Sequence, residues 1–247
     1  MNLWKADIKV AFKCAVPVML GYISIGLPCG ILSDSIGINP LQMLIMSLVF
    51  YSGAGQFMLS NMWLAGADII SIMLSICFVN TRQLLYSAAY SPYCSKMSKL
   101  GLVMFNANTT DETFGISIEM FKDGTWSARR AYLVNAFSHT SWTLSCVVGC
   151  AIGPVLNIPV NIASFAMTSI FICLLACQEV NKPNLIASIC AFIGVCVAKT
   201  LGLAGFSIVV GAVFGVIVAL IYCSRFEKES NDKTSKSVCD DLGGEID

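Results

Sequence analysis

Three polar side chains that could bind or couple a solute stand together inside an otherwise apolar stretch. Arg82 lies between Asn80 and Gln83, and an arginine near the centre of a membrane helix costs about 2.5–3.5 kcal/mol on insertion scales. Arg82 precedes Tyr90 by eight residues, about 12 Å along a helix, so its guanidinium could instead reach the interface. Asn80 and Gln83 weaken that alternative, because both would also need partners. We therefore predict that Arg82 is paired or functional.

Two adjacent carboxylates form a second candidate group beside an apolar patch. Asp111 and Glu112 would point about 100° apart on a helix, so only one of them can face a site. That carboxylate could pair with Arg82 or carry a proton. Alternatively, Thr109 or Thr110 caps a helix whose first turn contains both acids. The two interpretations are compatible.

A third group combines small residues with one amide in a charge-free stretch. Gly53 and Gly55 allow an opened backbone or a close approach, and Gln56 is expected to point inward. Helix packing alone explains the glycines but explains the amide less well. His139 lies in another apolar segment, where it could relay protons or could be a hydrogen-bonded structural residue. Lys199 is near the end of a segment and is expected to snorkel.

The motifs of the main enzyme classes are missing from the sequence. It has no phosphate-binding Gly-x-x-x-x-Gly-Lys-Ser/Thr loop, no His-Glu-x-x-His zinc motif and no recognisable Ser-His-Asp set. The 12 cysteines are scattered through apolar stretches, which is typical of free buried thiols. Cys146/Cys150 and Cys173/Cys177 are one helical turn apart, but each pair lacks further ligands for a metal. We expect no cofactor, no metal and no enzymatic activity.

The composition indicates that membrane helices position these polar groups. Of 247 residues, 56% are hydrophobic and only 12% are charged, and the mean hydropathy is +0.75. Soluble domains carry about 25% charged residues. The formal net charge is zero and no polybasic run occurs, so nucleic acid is excluded as a partner. The expected fold class is an all-α, polytopic transmembrane helical bundle in a lipid bilayer.

About seven apolar stretches approach or exceed the roughly 20 residues that a helix needs to cross the hydrocarbon core. They lie near 12–32, 41–62, 69–90, 132–152, 160–178, 184–201 and 205–223. We expect 6–7 membrane segments, with broken or re-entrant helices in the first half, in a transporter domain that covers residues 1–224. The region 91–131 is polar and is expected to be a loop or an amphipathic or re-entrant helix. The tail, 225–247, is too polar to fold.

The distribution of lysine and arginine leaves a conflict in the topology. It places both ends of the second half in the cytoplasm, whereas three passes before residue 91 would put the basic N-terminus outside. Either one early segment does not fully cross, or part of 91–131 does.

A helix break is expected within Pro17–Gly30. The two prolines there remove backbone donors and Gly26 and Gly30 loosen the helix, so this stretch is expected to be kinked or unwound. Broken helices mark the binding sites of several transporter folds. The alternative is that the glycines only permit close helix packing, which is the role expected of Gly211 and Gly215 in the last segment.

The order of several motifs resembles the AzlC/YgaZ family over most of residues 10–220. These motifs are Pro17, Gly21-Tyr22, Gly26 and Gly30, then Met46-Ser47-Leu48, Gly53-Ala54-Gly55-Gln56-Phe57, Asn80-Thr81-Arg82-Gln83-Leu84-Leu85-Tyr86 and Thr110-Asp111-Glu112-Thr113-Phe114. The resemblance implies the large subunit of a branched-chain amino acid exporter in a bacterial inner membrane. It also implies a small multi-pass membrane subunit of the AzlD/YgaH type as partner. The family's third-segment motif commonly reads Asn-x-Arg-His, and here Gln83 stands where the histidine would be.

Three functional hypotheses remain. The first is a proton-coupled exporter of branched-chain or related apolar amino acids, with the zwitterion held near Pro17–Gly30 and Gly53–Gln56. Arg82 and Asp111 or Glu112 would then form its gate or coupling pair. The second is a channel-like or accessory membrane subunit for another small solute. The third, a membrane enzyme, would need a clustered site that the sequence does not show.

Overall fold

The structure, a computed structural model, describes residues 2–94, 97–124, 126–156, 159–176, 182–201, 207 and 210–225. Every regular element in these ranges is an α-helix, so the expected helical class is confirmed. The helices are α1 (Asn2–Asp34), α2 (Pro40–Val49), α3 (Gly53–Leu64), α4 (Ile69–Val79), α5 (Arg82–Tyr90), α6 (Lys99–Ala107), α7 (Asp111–Lys122), α8 (Ala128–Leu156), α9 (Val160–Ala176), α10 (Lys182–Thr200) and α11 (Val210–Arg225).

By length and composition, three described stretches could each cross a membrane. They are Trp4–Asp34, Ile69–Tyr90 and Lys182–Thr200, and the second of them combines α4 with α5. The chain divides into two compact units, Met1–Leu174 and Leu175–Asp247. The polar side chains singled out above belong to the first unit, apart from Lys199.

The frame of the first unit is a pair of parallel helices, α1 and α8. Contacts between them pair Asp7 with Arg130, Met19 with Ser141 and Asp34 with Gly153. Residue numbers therefore rise together along both helices. We call the end where α1 and α8 begin the N-terminal end, and the opposite end the C-terminal end.

The prediction that Pro17–Gly30 is unwound is wrong, because α1 is one continuous helix through both prolines. Its glycines serve the contact with α8. A Cβ on Gly26 would lie 2.7 Å from the Cβ of Ser145, and a Cβ on Gly30 would overlap the carbonyl oxygen of Cys146. Each proline removes only one backbone donor, and the close packing along α8 holds the helix together.

Helices α2 and α3 form a re-entrant hairpin, hairpin 1 (residues 40–64), at the C-terminal end. The Cys150 thiol donates to the Ile38 carbonyl at 3.1 Å, and His139 Nε2 lies 3.0 Å from the Ser47 carbonyl oxygen. Helix α2 therefore packs antiparallel to α8 and ends near the middle of α8. The ten residues of α2 rise about 15 Å, which is half of a hydrocarbon core.

Helix α3 then returns to the C-terminal end. The Cys29 thiol reaches Gln56 at 3.8 Å and the hydroxyls of Ser33 and Ser60 are 3.3 Å apart, so α3 runs in the same direction as α1. The expected membrane pass over 41–62 is therefore wrong, although that stretch is long and apolar enough. The chain reverses between α2 and α3, so two half-length helices replace one crossing.

Helices α6 and α7 form a second re-entrant hairpin, hairpin 2 (residues 99–122), at the N-terminal end. Both helices pack near a buried cluster there, which consists of Tyr90, Cys94, Phe105, Phe121 and Ala131. Helix α7 begins deeper in the bundle, where Thr110 shares a 2.6 Å hydrogen bond with Tyr22 of α1. The polar region 91–131 thus contains a hairpin that enters from the side opposite to hairpin 1.

The remaining pass joins the two hairpins. The combined α4–α5 helix starts beside α3 at the C-terminal end and finishes at Tyr90 in the buried cluster of the N-terminal end, with a break at Asn80–Thr81. Within residues 2–156, α1 and α8 therefore run one way and α4–α5 runs the other. This arrangement removes the topology conflict, because the 41–62 stretch does not cross.

The second unit contains α10 and α11, which pack through glycines. A Cβ on Gly211 would lie 2.7 Å from the Ala191 carbonyl oxygen, and one on Gly215 would lie 2.6 Å from that of Ala187. The expected small-residue contact is confirmed. Lys199 is exposed in the last turn of α10. Apart from Arg225, the tail predicted to be disordered lies outside the described residues.

Candidate functional site

The tips of the two hairpins and the break between α4 and α5 meet at a pocket. It encloses about 690 Å³ of empty space, a volume that includes its open mouth. Its lining residues are Tyr22, Ile25, Tyr51, Ser52, Gly53, Ala54, Phe57, Arg82, Gln83, Thr109, Thr110, Asp111, Glu112 and Trp142. Five helices contribute to it: α1, α3, α5, α7 and α8.

The tip of hairpin 1, Phe50–Ser52, is braced by side chains because its backbone has left the helical pattern. The Gln56 amide donates to the Phe50 carbonyl at 2.7 Å, and Trp142 Nε1 donates to the Gln56 side-chain oxygen at 3.0 Å. Gln56 is completely buried. His139 adds a contact to the Ser47 carbonyl near the end of α2. Gln56 therefore holds the tip in place from behind and does not line the pocket.

Helix α3 begins at the pocket and has no acidic residue in its first turn. Ser52 caps this helix by accepting from the Gly55 amide at 3.2 Å, and its hydroxyl donates to the Asn80 side-chain oxygen at 2.8 Å. Within the described chain, the Gly53 and Ala54 amides have no acceptor. A helix N-terminus carries about half a positive charge. This side of the pocket is therefore suited to an anion.

Helix α7 also begins at the pocket, but its first turn contains two carboxylates. Thr110 caps it in a capping box with Thr113. Asp111 pairs with the Arg82 guanidinium and accepts a 2.8 Å hydrogen bond from the Tyr86 hydroxyl. The charge of Asp111 is therefore balanced by a neighbouring helix. Arg82 and Asp111 are both about 30% exposed, at 31% and 27%.

Glu112 has a different environment from Asp111. Its carboxylate accepts a 2.8 Å hydrogen bond from the Tyr22 hydroxyl, which is also 2.6 Å from the Thr110 hydroxyl. Among the described residues, no cation pairs with Glu112. The Glu112 carboxylate therefore has no ion pair to balance its charge. It makes its side of the pocket negative, whereas the α3 N-terminus makes the other side positive.

Aromatic and aliphatic side chains complete the wall of the pocket. Tyr22 and Trp142 pack edge to face at 5.4 Å, and Phe57 and Ile25 lie beside them. The Tyr51 ring stacks on His139 at 4.2 Å. This apolar wall is able to receive an aliphatic side chain.

The structure separates the candidate residues into three places. Arg82, Asp111, Glu112 and Gly53 line the pocket, whereas Asn80, Gln56, Gly55 and His139 support the hairpin 1 tip around it. Gly26 and Gly30 lie in the contact between α1 and α8. Tyr22, Tyr51, Ser52 and Trp142 also line the pocket, but the sequence analysis did not predict them as site residues. Each has a polar side-chain atom inside an apolar stretch, and this feature could have identified them.

Metal ligation finds no support in the described ranges, where no three His, Cys, Asp or Glu side chains come together. Cys146 and Cys150 are buried in α8, and Cys150 bonds to the Ile38 carbonyl. Cys177 lies outside the described residues, so its pairing with Cys173 has no structural account.

Comparisons with known proteins find a family model and relatives that are named as membrane proteins. The family model described as AzlC protein matches residues 17–156, which include both hairpins and every residue that lines the pocket. An uncharacterized membrane protein of Helicobacter pylori is 28% identical over 185 residues, covering 74% of this chain and 81% of the relative. No solved structure matches the chain.

Two further relatives have more informative names. The inner membrane protein YgaZ of Escherichia coli is 25% identical over 216 residues, covering 85% of this chain and 88% of that protein. The branched-chain amino acid transport protein AzlC of Bacillus subtilis is 22% identical over 223 residues, covering 89% and 85%. Similarity therefore extends over most of both proteins.

Proposed function

This chain belongs to the AzlC protein family, and on that premise we propose that it is a secondary transporter that exports branched-chain or related apolar amino acids. The observation that carries the proposal is the pocket where the two hairpin tips meet. It combines a positive helix terminus, an unpaired carboxylate and an apolar wall. The name of the Bacillus subtilis relative supports amino acids as the substrate class.

We place the protein in the bacterial cytoplasmic membrane with its N-terminal end in the cytoplasm. Basic residues at that end are Lys5, Lys9, Lys99, Lys122, Arg129 and Arg130, whereas residues 14–81 contain no lysine or arginine. The C-terminal end has Asp34 and Asp68, and hydrogen bonds from Ser71 lower the pKa of Asp68. Lysine and arginine favour the cytoplasmic side.

Proton antiport is the proposed energy source. The sequence has no phosphate-binding loop for ATP, so we propose that an ion gradient drives export. Arg82 and Asp111 link α5 to hairpin 2 as a gate, and Glu112 is the pocket carboxylate available to exchange a proton. A small multi-pass subunit of the AzlD/YgaH type is proposed as partner, from the family resemblance.

Counterflow in proteoliposomes tests this function. The protein, with and without the partner subunit, is reconstituted, loaded with labelled leucine and diluted into buffer with or without unlabelled leucine. We expect unlabelled leucine outside to accelerate exchange and an imposed proton gradient to drive net efflux. Leak that is indifferent to leucine on the far side would favour a channel instead. Absence of any leucine movement with the partner present would contradict the proposal.

A further inference from the structure

The two helix N-termini at the pocket differ in charge, and this difference points to a fixed orientation for the bound molecule. We propose that the pocket binds an α-amino acid as a zwitterion, with its carboxylate at the N-terminus of α3 and its ammonium group at Glu112. The inference rests on the proposed function, because it assigns the binding contacts of that same pocket.

The carboxylate end is defined by the first turn of α3. Gly53 and Ala54 line the pocket and their amides have no acceptor in the described chain, while Ser52 keeps the helix capped. Free amides at a helix N-terminus bind carboxylates and phosphates. The corresponding turn of α7 is occupied by its own acids, so it does not offer the same site.

A buried hydroxyl supplies a second sign of a missing ligand. Tyr51 is 6% exposed and lines the pocket, and none of the described residues forms a hydrogen bond of good geometry with its hydroxyl. The hydroxyls of Tyr22 and Thr110 and the Glu112 carboxylate are its polar neighbours, so it lies on the Glu112 side of the pocket. Buried polar groups rarely remain unpaired, so a ligand with donors and acceptors at this point completes its bonding.

The ammonium end is assigned to Glu112 rather than Asp111. Arg82 and Tyr86 already bond to Asp111, and its charge is balanced. Glu112 accepts one hydrogen bond from Tyr22 and has room for another donor at the pocket. A carboxylate and an ammonium group form a charge-assisted hydrogen bond, which is stronger than a neutral one.

Three ligands with the same isobutyl side chain distinguish the two ends. Leucine has both charged groups, 4-methylpentanoate has only the carboxylate, and 3-methylbutylamine has only the ammonium group. Binding of each is measured by calorimetry on the purified full chain, for the wild type, Glu112→Gln and Glu119→Gln. Glu119 is an exposed acid on the same helix, so its substitution changes the charge equally without touching the pocket.

We expect Glu112→Gln to weaken leucine and 3-methylbutylamine by about 10- to 100-fold, because each loses a charged partner. Binding of 4-methylpentanoate should stay equal or tighten, since a repelling carboxylate has been removed. That retained binding also shows that the variant pocket is folded. Glu119→Gln should match the wild type for all three ligands.

Two results would overturn the orientation while leaving the function intact. One is wild-type leucine affinity in Glu112→Gln, and the other is an equal loss of leucine and 4-methylpentanoate, which would make Glu112 structural. A wild-type protein that binds none of the three ligands would instead refute the proposed substrate class, and the orientation with it.

Discussion

Hairpins 1 and 2 have the same shape but are stabilised in different ways. Each enters from one end of the bundle, reverses near its middle and presents a helix N-terminus to the pocket. The first depends on Gln56 and on α8, and its α3 terminus has no acid. The second has a capping box and two acids, one of which pairs with α5.

The difference shows how one backbone arrangement can produce two opposite electrostatic ends. A bare helix terminus is positive, and the same terminus with two added carboxylates becomes negative overall. Oppositely oriented repeats that meet at the membrane midplane are a common way to build a transport site.

The largest expected effect is a difference in labelling, because reagents should reach the two hairpins from opposite sides of the membrane. Exposed Asn39 lies just before hairpin 1 and exposed Asp123 just after hairpin 2. In a background without exposed native cysteines, Asn39→Cys should react with a membrane-impermeant maleimide from outside the cell, whereas Asp123→Cys should react only in inverted vesicles. Labelling of both positions from one side would contradict two opposed hairpins.

The next effect is on hairpin 1, whose tip depends on one amide. Gln56→Leu leaves the Trp142 N–H without its acceptor and leaves the Phe50 carbonyl with only the Ser52 N–H, so we expect the free energy of unfolding to fall by about 2–5 kcal/mol. Thermal denaturation in detergent measures this loss. The control, Gln42→Leu, removes only part of an exposed capping box and should cost about 1 kcal/mol.

Hairpin 2 should respond to loss of its charge partner. Arg82→Ala leaves Asp111 unbalanced, so we expect a loss of about 1–3 kcal/mol and efflux at least about 10-fold slower. Arg82→Ala/Asp111→Ala should regain most of the stability. Arg129→Ala should change it by less than about 1 kcal/mol, because Arg129 is exposed and Asp7 remains paired with Arg130. Unchanged efflux in Arg82→Ala would remove this arginine from the mechanism.

The smallest effects come from one glycine in each hairpin. A Cβ on Gly53 would lie 3.1 Å from the Trp142 ring at the pocket, whereas one on Gly115 meets nothing within 4 Å. Gly53→Ala should raise the leucine concentration needed for half-maximal transport several-fold with little loss of stability. Gly115→Ala should leave transport unchanged and stabilise α7 by about 0.5–1 kcal/mol. Equal behaviour of the two variants would place Gly53 away from the substrate.

Composition and local chemistry were sufficient to predict the helical membrane class and to single out Arg82, Asp111 and Glu112, which the structure brings to one pocket. They were not sufficient for the path of the chain. The 41–62 stretch is long enough to cross, and only its contacts with α1 and α8 show that it turns back. Hydrophobic length alone does not distinguish a crossing from a hairpin.

The glycines of α1 show a second limit. Proline and glycine in Pro17–Gly30 allow either a break or a close helix contact, and the choice depends on which surface the partner helix presents. Ser145 and Cys146 on α8 provide a surface that only glycine can approach. Such complementarity lies more than 100 residues away in the chain, so local patterns do not reveal it.

The close contact between α1 and α8 also limits how the protein can move. Sliding α1 by one helical turn would bring Tyr22 into the space of Gly26, or Asp34 into the space of Gly30, where even a methyl group collides. The two helices therefore cannot slide past each other by a helical turn. Within the first unit, the two hairpins and the break at Asn80–Thr81 are free of this constraint, and the α1–α8 pair is their fixed support.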